Sequence, residues 1–244
     1  MQLAENWYVN APWAQLVCST KVPDDIFKTV IDLTDKIYDD VNHDSAGAGL
    51  AGQIQQEYFI TQEKLMKTGL MEYFIAMTTK YWETMLSNGN MWEYLDQNYP
   101  NGPHGYNWAC RVVNAWTVHQ FENEYNPIHV HLGTYLSCVG YLKLPDGIDE
   151  EWEEDYKDHH PANGHIQFVY GHASNHTGSN CLMKPQVGDF YVFPSHLHHC
   201  VYPFKTKGER RSFSVNFTIS ATYKDKSQEP KSYAEQEKEM EVAK

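Results

Sequence analysis

The chain has 244 residues, of which 41% are hydrophobic, 14% aromatic and 21% charged. A chain of this length fits one β-rich domain and buries roughly 70–75% of its unfolded surface, so it needs neither disulfides nor a structural metal to fold, and its composition excludes wholesale disorder. Nineteen Lys and Arg stand against 32 Asp and Glu, a formal net charge of −13, which argues against a nucleic-acid polymer as partner because phosphate binding needs clustered cations.

The five cysteines, Cys18, Cys110, Cys138, Cys181 and Cys200, are odd in number and form no C-x-x-C pair. They suggest reduced thiols and a cytoplasmic protein. The N-terminus MQLAENWYVN has no signal-peptide pattern, and no apolar run approaches the ~20 residues of a membrane span. Without internal repeats or low-complexity linkers, the economical reading is one domain over 1–223, with helical support at about 20–90, a β core at about 107–220 and a charged tail at 224–244.

In chain order, Pro23-Asp24-Asp25 is a helix-start signal, and Ile26, Phe27, Val30, Leu33 and Ile37 follow at helical spacing, which predicts an amphipathic helix to Asp39. Gln53 to Ile60 reads as extended. Gln62 to Leu86 reads as one long helix, its Leu65, Leu70, Phe74, Met77, Tyr81 and Met85 forming a core stripe. From Asn107 the pattern changes to short β-rich runs: ACRVVNAWTV, GTYLSCVGYLKL, HIQFVYG, GDFYVFPS and RRSFSVNFTI. Turn signals punctuate them, which predicts an antiparallel sandwich or barrel with the helices packed outside. The acidic run DEEWEEDYKD, from Asp149 to Asp158, reads as a solvated loop.

Thirteen histidines is a high number, and they cluster. His129 and His131 form an H-x-H pair that a strand would project from one face, and a third imidazole from another strand would complete a metal site with open positions. His196, His198 and His199 all lie in PSHLHHCV, and strand parity does not choose among them. Imidazole suits iron, zinc, copper and nickel alike. His43, His104, His119, His159, His160, His165, His172 and His176 read individually as loop or surface residues. Lys205 to Gly208 reads as a hairpin turn, after which Arg210, Ser212, Ser214 and Asn216 share one strand face. Facing inward, they would line a polar pocket whose arginine matches a carboxylate bidentately.

The strings NPIHVHLGTYLSCVGYLKLP (126–145), PQVGDFYVFPSHLHHCV (185–201) and GERRSFSVNFTI (208–219) together resemble the Fe(II)- and 2-oxoglutarate-dependent oxygenases. The resemblance is strongest to a bacterial and phage subgroup. Its pattern runs H-x-H, L-S-G-V-Y-Y-L, G-D-L-x-x-F-P-S-W-L-x-H-x-V and E-R-x-S-x-S-x-N, and the match covers roughly residues 108–219. The resemblance implies a mainly β protein with a double-stranded β-helix, that is, a jelly-roll or cupin-like barrel, and N-terminal supporting helices. It implies Fe(II) on His129, His131 and His199, and 2-oxoglutarate on Arg210 and Ser212, with Tyr135 as a second donor and Asn114, Trp116 and Asn216 lining the pocket. With O₂, the implied reaction is hydroxylation of an unidentified small-molecule or peptide substrate with release of succinate and CO₂.

The sequence departs from the wider superfamily in one first-order respect. The usual carboxylate of H-x-D or H-x-E is His131 here, and Cys138, Gly140 and His196 replace the subgroup's Gly, Tyr and Trp. A three-histidine site also suits a 2-oxoglutarate-independent cupin dioxygenase, and a non-catalytic metal-binding module on the same fold is a third reading. The substrate and the oligomeric state are not legible in the sequence.

Overall fold

The computed structural model describes residues 15–87, 103–154, 162–175 and 177–229. The proposed tail beyond Glu229, the acidic residues 155–158 and His159, His160 and His176 lie outside these. Among the described residues ten strands make two antiparallel sheets. Strands β1 (Cys18–Lys21), β2 (Gln56–Phe59), β3 (Tyr106–Gln120), β5 (Leu136–Lys143), β8 (Asp189–Pro194) and β10 (Arg210–Tyr223) form the larger one, in the order β1-β8-β5-β10-β3-β2. The smaller contains β4 (Asn126–His129), β6 (Ile166–Val169), β7 (Asn180–Met183) and β9 (His198–Val201), in the order β4-β9-β6-β7.

Strands β3 to β10 thus supply four to each sheet, and the chain changes sheets between β3 and β4, β4 and β5, β5 and β6, β7 and β8, β8 and β9, and β9 and β10. That connectivity is a jelly roll, as expected, with the two sheets facing each other rather than closed into one hydrogen-bonded barrel.

Helices cover the outer face of the larger sheet. In α1 (Asp24–Tyr38), Asp24 and Asp25 occupy the first turn, where negative charge favours the helix dipole, and Val30, Leu33, Thr34 and Ile37 are buried. The long helix expected from Gln62 is interrupted. Helix α2 (Gln62–Lys67) ends where Gly69 takes φ +73° and donates its N–H to Met66 O, and α3 (Leu70–Ser87) starts anew. A left-handed residue after a helix end cannot continue it, and hydrophobic spacing alone does not register that stop. Phe74 of α3 packs with Phe190 and Phe213 at ring separations of 6.3 and 5.5 Å. Gly140 makes room for this cluster, since a Cβ there would lie 2.3 Å from the Phe213 ring; Cys138 is a buried core residue of the same strand.

Two loop expectations are corrected. Residues Ile148–Glu154 form helix α4, so the first part of the acidic run is not a loop. Within it, the Glu151 carboxylate accepts from Lys205 N, Thr206 N and Asn163 Nδ2, so this acid caps backbone donors instead of facing water alone. The Lys205–Gly208 segment that Glu151 holds is a crossover, not a hairpin turn. Strand β9 pairs with β4 and β6, whereas β10 pairs with β3 and β5. Adjacent strands with a short polar connection resemble a hairpin in sequence whether they share a sheet or face each other across a core.

Candidate metal and cosubstrate site

His129 is the last residue of β4 and lies opposite His199 of β9 in the register of the smaller sheet. Beyond His129 the chain leaves the ladder and turns at Leu132-Gly133, Gly133 taking φ +74°. Three bonds hold that turn against the end of β8: His131 N to Ser195 O at 2.8 Å, Ser195 N to Tyr135 O at 3.0 Å, and Ser195 Oγ to Thr134 O at 2.5 Å. The serine of F-P-S therefore fixes the loop that carries His131.

The ligand atoms of His129, His131 and His199 all lie within 4.8 Å of one another, the group of metal-ligating type among the described residues. Each ring is oriented by its other nitrogen. His129 Nδ1 donates to Pro127 O at 2.7 Å, and His199 Nδ1 donates to Leu197 O at 2.8 Å. His131 Nδ1 lies 2.8 Å from both Asn216 Oδ1 and Ser137 Oγ, and Ser137 Oγ donates to the same amide oxygen at 2.6 Å. With the proton on Nδ1, all three rings present the Nε2 lone pair, and the outer hydrogen bonds raise ligand basicity. Burial pushes His131 down to about 4 and His199 down to about 3, and lowers His129 as well. Neutral imidazole is the form a metal needs. His196 and His198 are exposed, so burial separates His199 from its neighbours where parity did not.

These histidines open into a cavity of about 370 Å³ that Arg210, Ser212, Ser214 and Asn216 also line. In β10 they alternate with Arg211, Phe213 and Val215, which face the helices. Arg210 is 2% exposed. Its Nη1 donates to Gln120 Oε1 at 2.9 Å, and its guanidinium lies 4.8 Å from the centre of the Tyr141 ring. Nε and Nη2 meet no acceptor at hydrogen-bonding geometry among the described residues. A buried cation with two unused donors is costly, and a planar carboxylate would satisfy both. The residues present therefore fit a metal and an acidic cosubstrate.

Asn114 and Trp116 of β3 line the cavity, the Trp116 ring edge-on to His131 at 5.6 Å. Tyr135 does not. Its side chain is 54% exposed and is not among the lining residues. The expectation carried strand alternation from His131 through to Tyr135, but the turn at Gly133 breaks the phase. Tyr141 is the tyrosine beside Arg210, and its buried hydroxyl meets no partner at full hydrogen-bonding geometry among the described residues. Its place beside Arg210 comes from the pairing of β5 with β10, where it lies opposite Ser212, a long-range contact that the sequence does not display. Gln120, opposite Arg210 in β3, was missed for the same reason. His119, read as a surface residue, is fully buried on the outer face.

Imidazoles alone would suit several metals; joined to a buried, half-satisfied guanidinium inside a jelly roll, they match what a non-haem oxygenase with an acidic cosubstrate requires. Residues 114–216 match the family model described as "Putative 2OG-Fe(II) oxygenase", and that match supports an oxygenase that uses iron, 2-oxoglutarate and O₂. Among solved structures, the chain is similar to a prolyl-4-hydroxylase from Pseudomonas putida, with 13% identity, TM-score 0.46 and coverage of 83% of this chain and 91% of that one. It is similar to a Trichoplax adhaerens prolyl hydroxylase solved with a hypoxia inducible factor peptide, with 11% identity, TM-score 0.48 and 83% of each chain covered. HygX from Streptomyces hygroscopicus, solved with nickel and 2-oxoglutarate, shows 10% identity and TM-score 0.46 over 83% of this chain and 81% of its own. No curated protein sequence matches the chain. No helix among the described residues is long and apolar enough to cross a membrane.

Proposed function

We propose that the protein hydroxylates an organic substrate, coupling the oxidation to conversion of 2-oxoglutarate into succinate and CO₂. The observation that carries this reading is Arg210, buried in the same cavity as the three imidazoles with two donors unused. Bound together, Fe(II), 2-oxoglutarate and O₂ supply a two-electron oxidant for C–H bonds, and the protein supplies geometry and a dry site.

In this reading His129, His131 and His199 hold the metal through Nε2. Arg210 grips the distal carboxylate of 2-oxoglutarate, with Ser212 and the Tyr141 hydroxyl as further donors, and Gln120 keeps the guanidinium plane oriented. Asn216 and Ser137 hold the His131 ring, and Asn114 and Trp116 form part of the chamber wall. Tyr135 has no part in it. Three neutral ligands leave the metal one negative charge short of the usual two-histidine, one-carboxylate set.

Anaerobic titration of 2-oxoglutarate into the Fe(II)-loaded protein tests the reading by the visible metal-to-ligand charge-transfer band, which is expected in the wild type and lost in His199→Ala and Arg210→Ala. Bound iron with no band would favour the three-histidine dioxygenase that works without 2-oxoglutarate. Failure to bind iron at all would favour a non-catalytic module.

A further inference from the structure

Glu57 is a buried acid that the chemistry above does not use. It lies in β2, opposite Val118 of β3, which in turn lies opposite Ser212 of β10. These three residues form one row across the inner face of the larger sheet, and all line the cavity. Glu57 is 2% exposed, and its Oε2 has no hydrogen-bond partner among the described residues. The ion pairs of the described residues leave it out: Lys21, Lys67, Lys143 and Arg211 are committed to other acids.

A second acceptor converges on the same spot. A methyl group built at Gly52 would lie 2.6 Å from Asn126 Oδ1 and 3.2 and 3.1 Å from Glu57 Oε1 and Oε2. The carboxylate and the amide oxygen therefore crowd around one small volume, which Gly52 leaves free of side chain. Asn126, Gly49, Leu50 and Ala51 line the cavity beside them. An anion in low dielectric with an unused oxygen is resolved by a proton or by a bound cation. Burial, with Glu124 as a secondary influence, pushes the Glu57 carboxyl up to about 7, so near neutrality the group is poised to give up its proton when a cation arrives.

Taking this cavity as the substrate chamber of the oxygenase proposed above, we infer that Glu57 and Asn126 form a subsite for a positively charged nitrogen, so that the substrate carries an ammonium or guanidinium group. A cation with several N–H donors satisfies both acceptors together, whereas a hydroxyl has one proton to give and a carboxylate is repelled. The net charge of −13 favours approach of such a substrate.

The test uses n-butylammonium, n-butylguanidinium, n-butanol and n-butyrate as probes. Binding is measured by ligand-observed NMR and calorimetry on the Fe(II)-loaded full chain under nitrogen, with and without 2-oxoglutarate. The expected result is at least a tenfold preference for the two cations over n-butanol, abolished in Glu57→Gln and in Gly52→Ala, with the near-UV circular dichroism of both variants unchanged. Equal binding of n-butanol and the cations, or cation binding undiminished in a folded Glu57→Gln, would overturn the inference. The charge-transfer titration in the same samples is independent: cation preference with no 2-oxoglutarate band supports the subsite while refuting the oxygenase reading, and a band with no cation preference does the reverse.

Discussion

Replacing Arg210 with Met separates a binding residue from a structural one. The guanidinium is 2% exposed, with one hydrogen bond to Gln120 and two donors unused. Burying a charge without full compensation costs several kcal/mol, against about 1–3 kcal/mol for leaving the Gln120 oxygen without its donor. The ligand-free variant is therefore expected to be no less stable than the wild type. For the carboxylate, two charge-assisted hydrogen bonds at about 1.5–3 kcal/mol each amount to a loss of about 10²- to 10⁴-fold in affinity. At a concentration about 100 times its dissociation constant, 2-oxoglutarate stabilises the wild type by about 2.7 kcal/mol. For a chain of this size that raises Tm by about 5–10 °C. Thermal melts of metal-loaded wild type and Arg210→Met, with and without 2-oxoglutarate, are expected to show that rise in the wild type alone. A variant that melts much lower without ligand yet keeps the rise would show that Arg210 supports the fold and does not hold the cosubstrate.

Three further outcomes follow from particular contacts. Asn216→Ala removes the acceptor that orients His131, and metal affinity measured by chelator competition is expected to fall about 10- to 100-fold. Gly140→Ala forces a methyl to within 2.3 Å of the Phe213 ring; chemical denaturation is expected to show a loss of about 1–3 kcal/mol from overpacking, and an unchanged midpoint would contradict the packing described. Burial alone would raise the Glu209 carboxyl, but hydrogen bonds from His119, Arg211 and Lys143 outweigh it and hold the group well below the usual carboxylate range. A depressed carboxyl contributes stability above its unfolded value of about 4.3, and that contribution fades as pH falls through the folded value. The fall in Tm between pH 5 and 3 is thus expected to be shallower in Glu209→Gln than in the wild type, and parallel curves would refute the assignment.

The sequence reveals face and spacing more readily than neighbourhood. Period-two alternation correctly put Arg210, Ser212, Ser214 and Asn216 on the cavity side, because β10 is long and regular there. The same rule failed for Tyr135, where one glycine with positive φ breaks the phase. It also had no means of knowing that β9 and β10 face each other across the core, since sheet membership depends on contacts distant in sequence. Glu57 went unnoticed because a lone acid in a short strand looks ordinary until β2 is seen to lie beside β3. The break at Gly69 was legible, and the hydrophobic stripe running through it masked the signal.

Adjacent Arg210 and Arg211 point to opposite sides of one strand. Arg211 meets Glu209 through Nε at 2.6 Å and Nη2 at 3.1 Å, and Asp35 of α1 through Nη1 at 2.5 Å. Glu209 also accepts from His119 of β3 at 2.6 Å and Lys143 of β5 at 2.9 Å. Because two similar side chains follow one another, a one-residue slip of β10 would still place an arginine in the cavity, and hydrophobic patterning would be the only other guard against it. The outer cluster supplies an ionic guard, since Arg211 reaches both Glu209, just ahead of the strand, and Asp35 of the helix. It works as a key for strand alignment, a role that consists of excluding a wrong arrangement and that no single contact energy would reveal.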